Sequence, residues 1–408
     1  MCNFAPIILF TNHMEDLFKA YRTFFGKGDA LYRLFSPYRI CPLGAHVDHQ
    51  HGLVSGFAFD SGIDFIFSET ASGKVEMCSL SFEGLMTFNV RREIDSRQYN
   101  WGDYLRGAVW SLQKDYQLQK GIRGVVKGSM PIGGLSSSAA LLCGFVKALD
   151  KVNNLGLDKM QVIKYASMAE RQYVGLNNGI LDQACVVLCE ANNLLYLDTD
   201  TSQYKILPFG GGGKKLPFKF GIFHSGVTRV LTGTDYNLRV SECKTAAWIM
   251  QAYEDEPLKK MEETRLRDVP EQLLEKYEQR MPQRFVKRAR HFYTECDRVL
   301  AGVKAWEKGD IKEFGRLVFE SCESSMNNYE CGSPELIELY KIMRTTEGIY
   351  GGRFSGAGFK GACIALIDPD KEEYIRERVT KEYLKAYPQY EEGFKVFFCE
   401  TSNGVDFL

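Results

Sequence analysis

Ten residues constrain this chain more than any others: 131–140, PIGGLSSSAA. Two glycines permit tight turns and close backbone approach, three consecutive serines supply hydroxyls, and the run LLCGFVKAL that follows has the period of a helix. A glycine-rich turn opening a helix presents unpaired N–H groups at the positive end of the helix dipole, so it is a cradle for an anion. A serine N-cap on an ordinary core helix shares part of this pattern. No lysine follows the glycines, which separates the stretch from the GK[ST] loop of P-loop nucleotidases. A polyphosphate held without that lysine needs another cation. Mg2+ suits, because it keeps several waters and takes only one or two protein oxygens.

At 408 residues the chain exceeds what one core usually supports, and two domains are expected, 1–209 and 214–408, with GGGG at 210–213 as the punctuation between them. With 51 basic against 52 acidic side chains there is no electrostatic case for a nucleic-acid or anionic-membrane partner, so any anion must be handled locally. Twelve cysteines scatter from Cys2 to Cys399 without a CxxC pair, as in a reducing cytosol. The apolar APIILF near the start is too short for a secretory core or a membrane span. A cytoplasmic location is expected.

From Asn12, NHMEDLFKAYRTFFG predicts a helix with Met14, Leu17, Tyr21 and Phe24 on one face, closed by Gly26. Between residues 31 and 90, runs such as DFIFSET and KVEMCSL predict strands. Helical periods return from 101 to 190, where DKMQVIKYASMAERQYVG puts Met160, Ile163, Ala166, Ala169 and Tyr173 on one face and Glu170 near the helix end. NLLYLDT and FKFGIFHSG predict strands. A helical region broken by Pro257, Pro270, Pro282 and Pro334 then runs to about Met343, before the strand patterns ACIALI and KVFFCE. This order predicts an α+β fold.

Two further segments stand out, YRICPLGAHVDHQHG at 38–52 and GGRFSGAGFKGACIALI at 351–367. With PIGGLSSSAA between them, they resemble in order the three motifs of the galactokinase, homoserine kinase, mevalonate kinase and phosphomevalonate kinase (GHMP) superfamily, across almost the whole chain. The resemblance implies a ribosomal S5-like N-terminal domain that carries the nucleotide, a ferredoxin-like C-terminal domain, a site in the cleft between them, and ATP with Mg2+. It implies that Asp182 in NNGILDQ is the catalytic base with Arg39 as its cationic partner, and that Glu170 and Ser138 hold the metal. Gly133, Gly134, Leu135, Ser136, Ser137, Ser138 and Ala139 would line the phosphates, Trp101 and Tyr104 would border the base, and Gly356 and Gly358 would close over the site. His46, Asp48, Gly179 and Tyr236 fall where the family holds its sugar. Taken alone, Asp182 reads as compensation of a helix dipole, Glu170 as a solvated helix residue, and the two aromatics as core.

His46, Asp48, His49 and His51 within six residues also suggest Zn2+, but the chain adds no CxxC or HExxH. The more informative departure is Ala45: galactokinases read GEHxD where this chain reads GAHVD. A glutamate there accepts a hydrogen bond from the C6 hydroxyl of a sugar, yet faces a like charge if C6 is a carboxylate. Two such charges about 4 Å apart repel by about 4 kcal/mol at an effective dielectric near 20, roughly a thousandfold in affinity. The segments PYRICPLGAHVDHQ, NGILDQ, YNLRVSEC, NYECG and GRFSGAGF most resemble the branch of the family that phosphorylates D-galacturonate at its anomeric oxygen. Tyr236 with Arg229 or Arg239 would then serve the C6 carboxylate. The expected ligands are a sugar acid and ATP. Galactose as substrate is one alternative, and a non-catalytic sugar and nucleotide sensor another. The retained Arg39, Asp182, Glu170 and Ser138 speak against the sensor.

Overall fold

The computed structural model describes residues 5–27, 30–94, 96–131, 133–176, 178–212, 215–227, 235–254 and 257–408, with side chains from residue 14 onward. It is an α+β fold built on two sheets. Helix α1 (Ala5–Phe25) precedes strands β1 (Tyr32–Ile40), β2 (Leu53–Thr70), β3 (Lys74–Ser79) and β4 (Leu85–Asn89). Helix α2 (Gly102–Leu112), strand β5 (Gly121–Gly128) and helices α3 (Ser137–Asn153), α4 (Lys159–Met168) and α5 (Leu181–Leu188) follow, and then strands β6 (Asn193–Asp198) and β7 (Tyr204–Pro208).

The second half opens with β8 (Lys219–Ser225) and helices α6 (Tyr236–Tyr253), α7 (Glu271–Tyr277), α8 (Gln283–Glu307), α9 (Ile311–Ser324) and α10 (Pro334–Thr345). It continues with β9 (Ile349–Phe354), β10 (Ala362–Ile367), α11 (Glu372–Ala386) and β11 (Phe394–Cys399), and ends on the short strands β12 (Thr401–Ser402) and β13 (Asp406–Phe407).

The first sheet runs β13-β1-β2-β5-β3-β4, with β12 and β6 also on β2 and β7 on β6; the second runs β11-β8-β10-β9. The register of β1 on β2 shifts between Pro37 and Tyr38. Proline brings no N–H to the ladder, and the irregularity bends the strand before regular pairing resumes, with Tyr38 opposite Phe59 and Arg39 opposite Ala58. The chain does not finish in the second sheet: Phe407 pairs with Leu34 of β1, and Thr401 with Phe59 of β2.

Helix α3 packs on β1 and β2 and against α2, α4 and α5. Leu142, Phe145, Val146 and Leu149 bury one of its faces completely. The core continues into the second half around Trp306, which meets Phe57, Phe209, Phe218 and Phe314 and donates its indole N–H to the Leu207 carbonyl at 2.8 Å. Trp306 is a polar-tipped aromatic with its one donor satisfied, which suits it to the junction of two layers.

Three expectations change. The first helix begins well before Asn12, and its buried stripe is Leu17 and Tyr21 against Ile66, Cys78 and Val125; Phe24 is 56% exposed. Strand β5 interrupts the region that reads as helical from 101 to 190: GIRGVVKG is a short, largely buried strand whose Gly121 and Gly124 lie close against neighbouring strand backbone. The helix carrying Glu170 ends at Met168 and passes into a π-helix, Ala169–Val174. Among the described residues no helix is long and apolar enough to cross a membrane.

Candidate active site

Arg39, almost fully buried, is the hub of the site. Its Nε donates to Asp182 Oδ1 at 2.7 Å, its Nη1 to the Gly134 carbonyl at 3.2 Å, and its backbone N–H to the Leu135 carbonyl at 3.3 Å. Burial opposes the guanidinium charge, but the Asp182 carboxylate outweighs it and holds the group above its usual value. Asp182 stands in the first turn of α5, where the helix dipole favours an anion. Its other oxygen, Oδ2, accepts the Ser136 hydroxyl. The glycine–serine loop, the arginine and the aspartate are therefore one hydrogen-bonded unit.

Ser136 is the N-cap of α3 but does not cap it with its side chain. The first turn, with Ser137 and Ser138, keeps its N–H groups available for an anion. Leu135 and Ala139 are buried, so they offer the loop surface main-chain groups alone. Gly134 (φ 79°) and Gly356 (φ 70°) touch backbone to backbone, and a Cβ on Gly356 would lie 2.9 Å from the Gly134 Cα. Ser355 donates its hydroxyl to the Gly134 carbonyl. Gly133 approaches Gly361 in the same way. Two segments 221 residues apart at the Ser355–Gly134 bond thus form a single cradle.

Glu170 lies in the π-helix, 1% exposed. The wider turn of a π-helix is a common way to aim one side chain into a site. Its carboxylate takes hydrogen bonds from Asn178 Nδ2 (2.7 Å), Gln183 Nε2 and Ser138. Burial and then the Asp182 charge push its pKa up, while those three donors work in the opposite sense. Asn178 Oδ1 and Gln183 Oε1 are buried beside it with no partner among the described residues. A carboxylate, a hydroxyl and two orphaned amide oxygens are all hard oxygen donors, and this set fits Mg2+.

On the far side of Arg39, Asp48 accepts the His49 N–H at 3.0 Å and the Leu181 N–H at 3.4 Å. Burial, then repulsion from Asp182, lifts its pKa to about 6. Gly179 is required beside it, since any Cβ there would collide with the Asp48 carboxylate. The His46 ring stacks on Tyr329 with centroids 4.3 Å apart, and its Nε2 is 3.6 Å from Cys331 Sγ. His49 bonds Tyr329 Oη at 3.1 Å, whereas His51 pairs with Asp200. His46 and His49 thus meet on Tyr329 while His51 turns to Asp200, and no group of three His, Cys, Asp or Glu among the described residues is arranged to hold a metal ion. Ala45 is buried, with its carbonyl accepting His291 Nε2–H at 3.0 Å. Tyr236 opens α6 edge-on to His49, and burial with the nearby carboxylates of Asp48, Asp182 and Glu170 raises its pKa well above normal.

Trp101 and Tyr104 stand at the start of α2. The Trp101 indole N–H is buried without a partner among the described residues, and burial plus the Glu170 charge pushes Tyr104 to about 12, which puts it near the glutamate. Gly358 packs on Cys331. Arg229 lies outside the described residues. Arg239 is engaged within the protein: its Nη1 donates to Glu242 at 3.1 Å, and its Nε and Nη2 donate to the Glu330 carbonyl. Residue types alone did not single out Tyr329, His291, Asn178 and Gln183. Asn178 and Gln183 sit inside the NNGILDQ segment, which was a usable signal; Tyr329 lies in a second π-helix, Ser325–Tyr329, which left none.

Residues 103–190 match the family described as GHMP kinases N terminal domain, and residues 303–386 match GHMP kinases C terminal. The chain is 38% identical over 397 residues to the galacturonokinase of Arabidopsis thaliana, covering 91% of this chain and 92% of that protein. It is 32% identical over 381 residues to the galactokinase of Ligilactobacillus salivarius, with 92% and 94% covered. The crystal structure of Lactococcus lactis galactokinase complexed with galactose has a TM-score of 0.87, at 26% identity, over 97% of this chain and 100% of that one. The Methanococcus jannaschii mevalonate kinase, at 15% identity and a TM-score of 0.64, shares the fold. Fold and relatives together define a kinase. The chain belongs to the GHMP kinases, and within that family it is a sugar kinase.

Proposed function

We propose that the protein transfers the γ-phosphoryl group of ATP to the anomeric oxygen of D-galacturonate, giving ADP and α-D-galacturonate 1-phosphate. The observation that carries this choice of sugar is Ala45, a small uncharged residue beside His46 and Asp48 where galactokinases place a glutamate. The 38% identity to a protein named galacturonokinase supports the same reading.

On this reading residues 1–209 carry the nucleotide, residues 214–408 close on it, and the reaction takes place in the cleft between them. The triphosphate lies on residues 133–139 and the N-terminus of α3, with Trp101 and Tyr104 beside the base and Gly356 and Gly358 behind the loop. Mg2+, when bound by Ser138 and Glu170, neutralises charge on the phosphates. Asp48, Gly179, His46 and Tyr236 hold the sugar hydroxyls. Arg229, just before α6, is the arginine assigned to the C6 carboxylate. The sugar O–P bond forms as the bond from the γ-phosphorus to the β–γ bridging oxygen breaks. The anomeric proton passes to Asp182, which the Arg39 Nε–H holds in place through Oδ1. The product leaves as the 1-phosphate and the electron pair leaves on ADP. A cytoplasmic location fits these soluble substrates.

The test is turnover with ATP, Mg2+ and either D-galacturonate or D-galactose. Preference for D-galacturonate by orders of magnitude supports the assignment. Equal or faster use of galactose overturns it in favour of the second reading, galactokinase, which the likeness to the galactose-bound structure favours.

A further inference from the structure

Ser136 occupies the point where the phosphate loop touches the base. Its backbone is left-handed, at φ 56° and ψ 48°, a conformation that few residues other than glycine, asparagine and aspartate adopt. A serine at an N-cap ordinarily turns its hydroxyl onto the helix's own N–H groups. This one leaves them uncapped and donates instead to Asp182 Oδ2. Asp182 Oδ1 is already held by Arg39. Both oxygens of the base are therefore engaged, and the donors an anion would use at α3 are open. The arrangement is braced from behind, since Arg39 and Ser355 both donate to the Gly134 carbonyl two residues upstream.

We propose that Ser136 gates the base according to whether a nucleotide is bound. With no phosphate at the entrance of α3, its hydroxyl competes with the sugar for Asp182 Oδ2. A terminal phosphate seated on the helix N-terminus offers that hydroxyl three charged oxygens and draws it away, which frees Oδ2 for the anomeric hydroxyl. The Ser136 proton stays on Oγ throughout and only its acceptor changes. The freed Asp182 oxygen later takes the proton that the sugar loses. Nucleotide and sugar then bind with positive and reciprocal coupling, so that each tightens the other by the same factor. Ser136 acts here as a positioning residue, and the proposal rests on the assignment of Asp182 as base.

The experiment measures sugar affinity by calorimetry, with and without Mg2+ and a non-hydrolysable ATP analogue, for the wild type, Ser136→Ala and Ser136→Gly. The sugar is whichever of D-galacturonate and D-galactose the wild type turns over. A wrong sugar assignment therefore fails at that choice, and the gate fails only in the coupling. The wild type should bind sugar about tenfold tighter with the analogue, the size of one hydrogen bond to a charged group. Both variants should bind sugar without nucleotide about as tightly as the wild type does with it, and the analogue should then change little. Alanine keeps the unfavourable backbone and glycine relieves it, so agreement between the two assigns the effect to the hydroxyl. Coupling of wild-type size in the variants overturns the proposal, as does a wild type without coupling.

Discussion

Arg39 Nε and Asp182 Oδ1 are 2.7 Å apart, with the arginine side chain 6% exposed and the aspartate 20%. The contact joins a bent strand to a helix N-terminus and leaves one carboxylate oxygen directed at Ser136 of the glycine–serine loop. Asp182→Asn keeps the shape and an acceptor for Arg39 but removes the proton acceptor. Turnover should fall by about 10²- to 10⁴-fold, the usual contribution of a general base, with nucleotide affinity nearly unchanged. Retention of most activity would take Asp182 out of the chemistry.

Ala45→Glu restores a charge where the proposed C6 carboxylate lies. The kcat/KM for D-galacturonate should drop by roughly a thousandfold, the equivalent of about 4 kcal/mol of like-charge repulsion. Residue 45 is buried, so overpacking alone would penalise both sugars. The ratio of the two sugars on the same variant isolates the charge. An unchanged ratio places C6 elsewhere.

Asp48 gives the site a pH dependence. Its pKa is raised from 3.8 to about 6 in the folded protein, so between those values the native state binds the extra proton. Its contribution to stability is intact below about pH 4 and is lost as pH rises through 6, by about 3 kcal/mol in all. Binding should run the other way if, as proposed, the ionised carboxylate accepts the sugar hydroxyls. The kcat/KM should therefore rise with pH through about 6, and Asp48→Asn should abolish that limb along with most of the activity. A residual limb at the same pH in the variant would assign it to another group.

Glu170 is a buried carboxylate whose pKa burial and the Asp182 charge push up, and a cation bound there, as proposed, would offset both. Glu170→Gln should raise the Mg2+ concentration needed for half-maximal rate at least tenfold while leaving or increasing the melting temperature in metal-free buffer. Wild-type Mg2+ dependence in the variant would remove Glu170 from the metal site.

The sequence reveals those parts of the site in which chemistry restricts residue type. Gly134, Gly356 and Gly179 each stand where a side chain would strike backbone or a carboxylate, so glycine at these places is readable as close approach. Arg39 and Asp182 are legible through their motifs, although 143 residues separate them. Other features depend on tertiary packing. Gly124 in β5 has the look of a loop residue, yet it is glycine because the neighbouring β2 backbone leaves no room for more. Arg239 seemed free until the fold brought the Glu330 carbonyl to it from 91 residues away. Tyr329 reaches His46 and His49 through a π-helix, whose extra residue shifts every later side chain off the 3.6-residue period.

Phe407 pairs with Leu34 on the strand that delivers Arg39, and its ring lies against Tyr32 and Phe67. A ribosome must therefore have passed codon 407 before the sheet that bears Arg39 has this edge. The nascent polypeptide is held short of a complete first sheet until residues 401–407 fold back onto β1 and β2, and a substitution at Phe407 would disturb the strand that bears the arginine rather than a distant surface.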